Sequence, residues 1–311
     1  MISKVSTLKM THDEWLSERK RGIGGSDAGA ILGLNPYKSA FEVFADKIGL
    51  IEPKPDNEAM RQGRDLEEYV AQRFSEQTGK KVHKVNSILY NSEYPFAFAN
   101  IDRAVQGEKA GLECKTAKCL SMKRYKNGDY PEEYYCQCMH YMMVTGYSKW
   151  YLAVLIYGTE LKIFEIARDE EEISALYKAE YQFWTKHVMK AIPPLPNGSK
   201  SVDRVIAAMY PQSDCHGITL EPVSEDLKRL KEIKALIAEY DRERRRLEQN
   251  IKLYMKDCEE GVTSEFQVIW RTQKRSEFDV DSVIKDFVPE GTDLSKYWRT
   301  TECRPFRVKE I

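Results

Sequence analysis

Two acidic residues and a lysine fall in a stretch whose composition predicts two neighbouring strands. Asp102 lies in the first strand, and Glu113 and Lys115 lie in the second. Side chains alternate along a strand, so Glu113 and Lys115 share one face while Cys114 points to the other. A tight hairpin would bring Asp102 beside Glu113, and two close carboxylates repel each other unless they bind a cation. The pattern therefore predicts a site for Mg²⁺ or Mn²⁺, where Lys115 can hold a water or stabilise charge on a phosphate.

The motif Glu-x-Lys carries little weight by itself, because it also begins at Glu18, Glu52 and Glu232. Its copy at Glu113 differs in its setting, since it follows an apolar residue, lies in a β context and has an aspartate on the preceding strand. In-line hydrolysis of a phosphodiester is the chemistry that such a site favours. The alternative from the residues alone is a surface ion pair at a sheet edge.

Other polar residues could complete this site. Glu67 lies on a helix just before the strands, and Glu68 is turned about 100° away from it, so only one of the two is expected to face the metal. Gln137 and Tyr141 are four residues apart and share a helix face, where they could orient a nucleotide or the catalytic lysine. The same spacing is more often a structural polar pair.

A glycine-rich turn near the start of the chain also fits phosphate binding. Successive backbone N–H groups of Gly24, Gly25 and Ser26, leading into a helix, would form an anion site. The simpler alternative is that Ser26 or Asp27 caps that helix. The five histidines are scattered without metal-ligand spacing and are expected to be structural or on the surface.

The order of the predicted elements indicates an α/β fold with a mixed central sheet flanked by helices. We predict strands over 82–90, 96–105, 110–116, 150–157 and 160–167, the last two joined by a turn at Gly158 and Thr159. We predict helices over 13–20, 28–32, 39–48, 58–78, 131–145, 169–190 and 202–209, and a long one from Ser224 to about residue 258. The long helix has apolar residues at coiled-coil spacing, so it either pairs as a coiled coil or packs on its own domain.

The proline-rich segment ending at Pro196 predicts a domain boundary, giving a domain over 1–196 and an extension over 197–311. In the extension, the runs 265–272 and 296–308 carry basic and aromatic residues and predict a small, basic β tail after the long helix.

Composition narrows the class of protein. With 42% hydrophobic and 31% charged residues, the chain is typical of soluble globular proteins. The first residues lack a signal-peptide pattern, so a cytoplasmic location is expected. The net charge of −1 gives no general polycation for nucleic acid, which weakens a DNA hypothesis only slightly, because a metal-dependent centre needs carboxylates. The seven cysteines, with Cys136 and Cys138 close together, are expected to be free thiols, an iron–sulfur cluster being the alternative.

These motifs, in this order, resemble the YqaJ-type viral recombinase family, the phage lambda exonuclease-like branch of the PD-(D/E)XK nucleases. The resemblance covers roughly residues 12–168, and each motif is weak alone whereas five in order are strong. The five motifs are Trp15 and Arg19 leading to the turn from Gly22 to Asp27, Gly63 with Glu67, Asp102, Glu113 with Lys115, and Gln137 with Tyr141. Cys136, Cys138 and His140, within or beside the last motif, depart from the simplest members.

The resemblance implies a PD-(D/E)XK restriction-endonuclease-like core and an ATP-independent exonuclease that digests one strand of duplex DNA from 5′ to 3′. Its 3′ single strand would serve a phage annealing protein, and a trimeric ring would thread the DNA. Asp102 and Glu113 would bind Mg²⁺, with the carbonyl of Cys114 as a further ligand and Glu67 assisting at a second metal. Lys115 would position or activate the water. By the same resemblance, Arg19 and Ser26 would bind the 5′ phosphate, and Gln137 and Tyr141 would support the site.

Two alternatives remain open from the sequence. The first is a restriction- or repair-type or Cas4-like endonuclease on the same core. The second is a DNA-binding scaffold with an inactive core that acts through the long helix and the basic tail.

Overall fold

The computed structural model describes residues 1–52, 57–117, 124–125, 128–156, 160–214, 216–289, 291–300 and 304–308. The predicted turn at Gly158 and Thr159 and three of the cysteines, Cys119, Cys215 and Cys303, lie outside these residues. The chain divides into two compact units, Met1–Pro211 and Gln212–Ile311. This division falls after the boundary predicted at Pro196, because the intervening helix Lys200–Met209 packs on the first unit.

The elements of the first unit follow each other in a mixed order. Its helices are α1 (His12–Lys20), α2 (Gly25–Ile31), α3 (Ala40–Lys47), α4 (Glu58–Thr78), α5 (Glu132–Thr145), α6 (Glu170–Phe183) and α7 (Lys200–Met209). Its strands are β1 (Ile2–Ser6), β2 (Ile23–Gly24), β3 (Val82–Lys84), β4 (Ser87–Asn91), β5 (Ala97–Ala99), β6 (Arg103–Val105), β7 (Ala110–Ala117), β8 (Lys149–Ile156) and β9 (Glu160–Ala167).

These strands form two sheets. The larger has the order β3-β6-β7-β8-β9, with β7 and β8 parallel and the other neighbours antiparallel. The smaller has the order β1-β4-β5-β2, with β2 and β5 parallel. The predicted α/β class, with mixed sheets flanked by helices, is confirmed.

The larger sheet is the predicted mixed central sheet, and the smaller sheet arises because each of two predicted strands is broken into two. The run 82–90 becomes β3 and β4, and the run 96–105 becomes β5 and β6, with the members of each pair in different sheets. The chain crosses from the smaller to the larger sheet at Asn100–Asp102, immediately before β6. The short strands β1 and β2 were not predicted.

Helix α4 covers one face of the larger sheet. Asn57 caps it by accepting a hydrogen bond from the N–H of Met60, and Gly79 ends it in the left-handed conformation with φ of 74°. Val70 and Phe74 are fully buried against Leu112 of β7 and its neighbours. Burial of each such side chain contributes about 1.5–3 kcal/mol, so this face fixes α4 on the strands of the candidate site.

Helix α5 covers the other face and lies at the centre of the unit. It follows Pro131, carries Glu132 and Glu133 in its first turn, and ends at Gly146 with φ of 69°. Every residue from Cys136 to Thr145 is buried, against the larger sheet, the smaller sheet and α2. A polar residue on α5 is therefore held in the core.

Beyond α5, the helix predicted over 169–190 is α6 followed by a π-helical turn, Trp184–Val188. The described residues contain no helix with the length and apolarity needed to cross a membrane.

The second unit contains a long helix, a small hairpin and a short helix: α8 (Ser224–Met255), β10 (Glu260–Val262), β11 (Gln267–Ile269) and α9 (Val280–Phe287). The hairpin is antiparallel and supplies the predicted small β element. The predicted β tail over 296–308 was wrong for the described residues, where Ser295–Tyr297 forms a 3₁₀ turn and 304–308 form no strand. The basic and aromatic residues there have the composition of a strand, but none of the described residues among them pairs with another strand.

Candidate active site

The end of the crossover and the middle of β7 bring the two predicted carboxylates together. Arg103 of β6 pairs with Leu112 of β7, so Asp102 comes opposite Glu113. The backbone N–H of Cys114 donates to Asp102 Oδ2 at 2.8 Å. Cys114 packs with the residues facing α4. Glu113 and Lys115 therefore face α5, as the alternation of side chains predicted.

Glu113 is the most constrained residue of the site. Its Oε1 accepts hydrogen bonds from Lys115 Nζ at 2.6 Å and from Gln137 Nε2 at 2.7 Å. The same Gln137 nitrogen donates to the hydroxyl of Tyr141 at 2.9 Å. In contrast, Glu113 Oε2 is buried without a hydrogen-bond partner among the described residues. The predicted pair on α5 therefore positions one carboxylate oxygen and leaves the other available.

The electrostatics reflect two acids held together out of water. Burial, the negative charge of Glu113 and that of Glu67 raise the pKa of Asp102 well above its usual value. Burial opposes ionisation of Lys115, but the interactions with Glu113, Tyr134 and Asp102 together outweigh burial and raise the pKa of that ammonium. Lys115 also lies over the Tyr134 ring, 4.9 Å from its centroid. The site thus holds a protonated lysine beside two carboxylates that repel each other.

Glu67 is connected to Asp102 by Arg103, a residue for which no role was predicted. The buried Arg103 donates from Nη1 to Glu67 Oε1 at 2.5 Å and to the backbone carbonyl of Asp102 at 2.8 Å. Its Nη2 donates to Glu68 Oε2 at 3.0 Å. Arg103 therefore clamps α4 to the crossover. Glu68 is 72% exposed against 30% for Glu67, in line with the expectation that only one of the pair turns inward.

The glycine-rich turn lies next to the same centre. Arg19 Nη2 donates to Ser26 Oγ at 3.0 Å, and the Arg19 guanidinium lies over the Trp15 ring at 4.6 Å. A Cβ built on Gly25 would meet Cε1 of Tyr141 at 2.6 Å, so this turn packs directly on the ring that contacts Gln137. The structure thus brings the predicted phosphate-binding turn against Tyr141, a residue predicted to support the catalytic site.

A buried carboxylate anchors this turn. Asp27 accepts the N–H of Gly24 at 3.2 Å and forms ion pairs of 2.8 Å with Lys38 and with Lys47. Burial opposes its ionisation, but Lys38, Lys47 and Arg19 together lower the pKa of Asp27 well below its usual value. Asp27 is therefore part of the N-terminal cap, as the simpler alternative for the turn proposed. The two lysines were missed because their approach depends on the packing of α3.

The histidine and cysteines beside the Gln–Tyr motif have structural contacts. His140 is fully buried between Glu180 Oε1 at 2.8 Å and the carbonyl of Phe98 at 2.9 Å. Cys114, Cys136, Cys138 and Cys258 are free thiols. Burial and nearby acidic groups raise the pKa of Cys136 to about 11, which keeps this thiol protonated.

The acidic residues do not form a ready-made set of three metal ligands. In the part of the chain that the structure describes, no three His, Cys, Asp or Glu side chains converge in this way. Asp102 and Glu113 supply two carboxylates, whereas Glu67 is turned toward Arg103. Such a pair suits Mg²⁺, which commonly takes one or two carboxylates and completes its shell with water and substrate phosphate.

Comparison with known proteins identifies the family. The YqaJ protein of Bacillus subtilis strain 168, itself uncharacterised, is 37% identical over 309 residues, which cover 97% of this chain and 96% of that protein. The model of the YqaJ-like viral recombinase domain matches residues 14–148. This chain belongs to the YqaJ family. The resemblance inferred from the motifs is confirmed, and all the motif residues, from Trp15 to Tyr141, fall within the YqaJ match.

Solved exonuclease structures align with this YqaJ family member over part of its length. An alkaline exonuclease from Laribacter hongkongensis aligns with a TM-score of 0.49 and 18% identity, covering 64% of this chain and 100% of that one. A phage-related exonuclease from Haemophilus somnus aligns with a TM-score of 0.42 and 14% identity, covering 55% of this chain and 96% of that one.

Proposed function

We propose that this YqaJ family member is a Mg²⁺-dependent, ATP-independent DNA exonuclease with a PD-(D/E)XK centre, and that Mn²⁺ can substitute. The observation that carries the proposal is the arrangement of Glu113: two donors fix its Oε1, while its Oε2, beside Asp102, is buried without a hydrogen-bond partner in the described part of the chain. An unpaired carboxylate oxygen in a desolvated site is costly unless a cation or a donor binds there.

The residues present fit a divalent cation. Asp102 and Glu113 would hold it, because a cation removes the repulsion that raises the pKa of Asp102. The N–H and C=O of one residue in a strand point to the same edge, so the carbonyl of Cys114 faces the side on which its N–H binds Asp102. That carbonyl is the proposed third protein ligand. When bound, the cation would polarise a phosphoryl oxygen and acidify a water.

The remaining residues have positioning and charge-stabilising roles. Lys115 stays protonated, so it would donate to the attacking water or to a phosphate oxygen and offset the charge that builds there. Gln137 and Tyr141 would keep Glu113 in one rotamer. Glu67 would assist through water at a second metal, since Arg103 holds its Oε1.

Arg19 and Ser26 are the proposed binding site for a terminal 5′ phosphate. A guanidinium and a hydroxyl 3.0 Å apart, at the start of α2, offer several donors to one phosphate group. The packing of Gly25 on Tyr141 would set the distance from this phosphate to the metal site. A terminal phosphate held beside the reacting bond favours release of mononucleotides from a 5′ end.

The family description as a viral recombinase supports a place in DNA recombination. In this proposal, digestion from 5′ to 3′ leaves a 3′ single strand for a phage annealing protein in the cytoplasm of the host cell. A trimeric ring around the DNA would make the digestion processive.

End-labelled linear duplex DNA, incubated with Mg²⁺, tests the proposal. We expect mononucleotides from 5′-phosphorylated ends, slower release from 5′-hydroxyl ends, and no cleavage of closed circular DNA. Asp102→Asn and Glu113→Gln should each lower the rate by at least about 10²–10³-fold, the scale of removing one group that stabilises transition-state charge. Glu171→Gln, an exposed change in the first turn of α6, is the matched control.

Each contrary result has a definite meaning. Cleavage of closed circular DNA would show that the protein is an endonuclease, the first of the two alternatives. Full activity of Asp102→Asn would place the catalytic centre elsewhere. Binding of DNA without any hydrolysis by the parent protein would favour the scaffold alternative.

A further inference from the structure

Helix α8 carries a long apolar stripe that stays exposed. Its exposed members range from 38% for Ile233 to 90% for Tyr254. From Leu230 to Tyr254 the stripe extends about 36 Å along the helix. An exposed apolar surface of this kind commonly marks an interaction site. The stripe consists of Leu230, Ile233, Ile237, Tyr240, Leu247, Ile251 and Tyr254.

We propose that α8 pairs in antiparallel orientation with α8 of a second copy of this chain. The stripe follows a heptad in which Leu230, Ile237 and Ile251 occupy a positions. Ile233 and Tyr240 are the first two d positions. In a two-stranded coiled coil, the charges at the flanking e and g positions decide the orientation.

Charge disfavours the parallel arrangement. Parallel helices bring identical a positions face to face, so Arg244 would meet its own counterpart in the core. They also bring each g position beside the e position five residues later on the other copy. Arg229 would then face Lys234, and Glu243 would face Glu248, on both sides of the pair. Such like-charge contacts are the device by which coiled coils reject a wrong partner orientation.

The antiparallel arrangement removes these conflicts. When Ile237 faces Tyr240 of the other copy, Leu230 faces Leu247, so four apolar layers form by symmetry, while Ile251 at the end of the stripe faces Asp226. The same register places Lys234 beside Asp241 of the other copy, twice by symmetry, and leaves no like-charge pair among the facing e and g positions.

Arg244 is tolerated in this register. It faces Ile233 of the other copy, against which its aliphatic stem can pack. Its Nη2 already lies 3.0 Å from Asp241 Oδ1 of its own helix. Asp241 would therefore link Arg244 to Lys234 of the other copy. The pairing joins two nuclease units, or two rings of them, through their extensions, and it does not depend on the proposed catalysis.

Sedimentation equilibrium of the full chain tests the pairing. The double variant Ile237→Glu/Ile251→Glu places charges in the stripe but keeps good helix formers, and circular dichroism checks that the helix persists. We expect the parent to have twice the mass of this variant, whatever assembly the first unit forms by itself. Equal masses would overturn the proposal. That result is expected if the stripe binds another protein or packs within its own chain.

Charge reversal tests the orientation. In an antiparallel pair, the new carboxylate of Lys234→Glu faces Asp241, so the dissociation constant of the paired chains should rise roughly tenfold. In a parallel pair it would face Arg229, and the chains would associate more tightly. Lys234→Glu/Asp241→Lys should bind more tightly than Lys234→Glu but less tightly than the parent, because Arg244 loses its contact with Asp241. Arg242→Glu, an equal charge change on the outer face, is the control and should leave the dissociation constant within about twofold. Tighter association of Lys234→Glu would refute the antiparallel arrangement.

Discussion

Replacing Gly25 with alanine should damage the catalytic centre although Gly25 carries no functional group. The new Cβ would lie 2.6 Å from Cε1 and 2.9 Å from Cζ of Tyr141. Carbon atoms pack at about 3.5–4.0 Å, so the ring would have to retreat by roughly 1 Å. The Trp150 ring packs on Tyr141 with centroids 5.1 Å apart, and this contact restricts movement of the Tyr141 ring. Overpacking of a core in this way costs about 1–3 kcal/mol of unfolding free energy.

The displacement should reach the carboxylate. The Tyr141 hydroxyl accepts a hydrogen bond from Gln137 at 2.9 Å, and Gln137 donates to Glu113 at 2.7 Å. A catalytic group that moves by about 1 Å can lose about 10²-fold in rate. Gly25→Ala should therefore lower both stability in urea and the single-turnover rate of DNA hydrolysis.

Two controls separate the clash from other effects of the substitution. Gly63 also lies in a helix, but its built Cβ has no atom nearer than Thr116 Oγ1 at 4.0 Å, so Gly63→Ala should raise the unfolding free energy by about 0.5–1 kcal/mol. In a Tyr141→Leu background the ring is absent, and Gly25→Ala should cost little. If Gly25→Ala costs the same with and without the ring, contact with Tyr141 does not explain it.

Three further predictions concern charge. Burial and Glu113 raise the pKa of Asp102 above its usual value of about 3.9, so ionisation of Asp102 destabilises the metal-free fold. In EDTA, Asp102→Asn should therefore raise the melting temperature at pH 7.5 but not near pH 4. Burial opposes protonation of His140, but Glu180 raises the pKa of His140 above about 6.5. The pair therefore stabilises the fold below that pH, and this stabilisation is lost as the pH rises through the raised pKa. In urea titrations, Glu180→Gln should lower the unfolding free energy more at pH 5.5 than at pH 9. Arg103→Met removes the buried guanidinium that binds Glu67 and Glu68, so it should lower the unfolding free energy by about 1–3 kcal/mol, and Arg103→Lys should recover only part of that loss. Equal stability of the parent and Arg103→Met would show that these contacts do not hold α4 in place.

Elements governed by local signals could be predicted from the sequence. The bounds of α4 and β9 match the prediction at both ends, since a capping Asn57 and Gly79 mark the helix and the alternation of residues marks the strand. The shared face of Glu113 and Lys115 follows from strand alternation alone.

Features that depend on tertiary packing could not be predicted. The residues from Phe96 to Val105 read as one strand, and the crossover to a second sheet becomes visible only when the partners of β5 and β6 are known. Arg103 follows Asp102 in the chain, but its role requires α4 to lie on that face of the sheet. The pairing of Asp27 with Lys47 likewise requires α3 to pack beside the turn.

The geometry of Glu113 explains why so many elements converge on one strand. Lys115 fixes Oε1 from the same strand and Gln137 fixes it from α5, so rotation that would expose Oε2 to water would break two charge-assisted hydrogen bonds. Among the residues that the structure describes, no donor reaches Oε2, so its burial is a strain that the fold imposes. A cation beside Asp102 would relieve that strain and the repulsion together, so Mg²⁺ should raise the melting temperature of the parent more than that of Glu113→Gln, whose amide bears less charge. An equal shift in both proteins would mean that Mg²⁺ binds elsewhere.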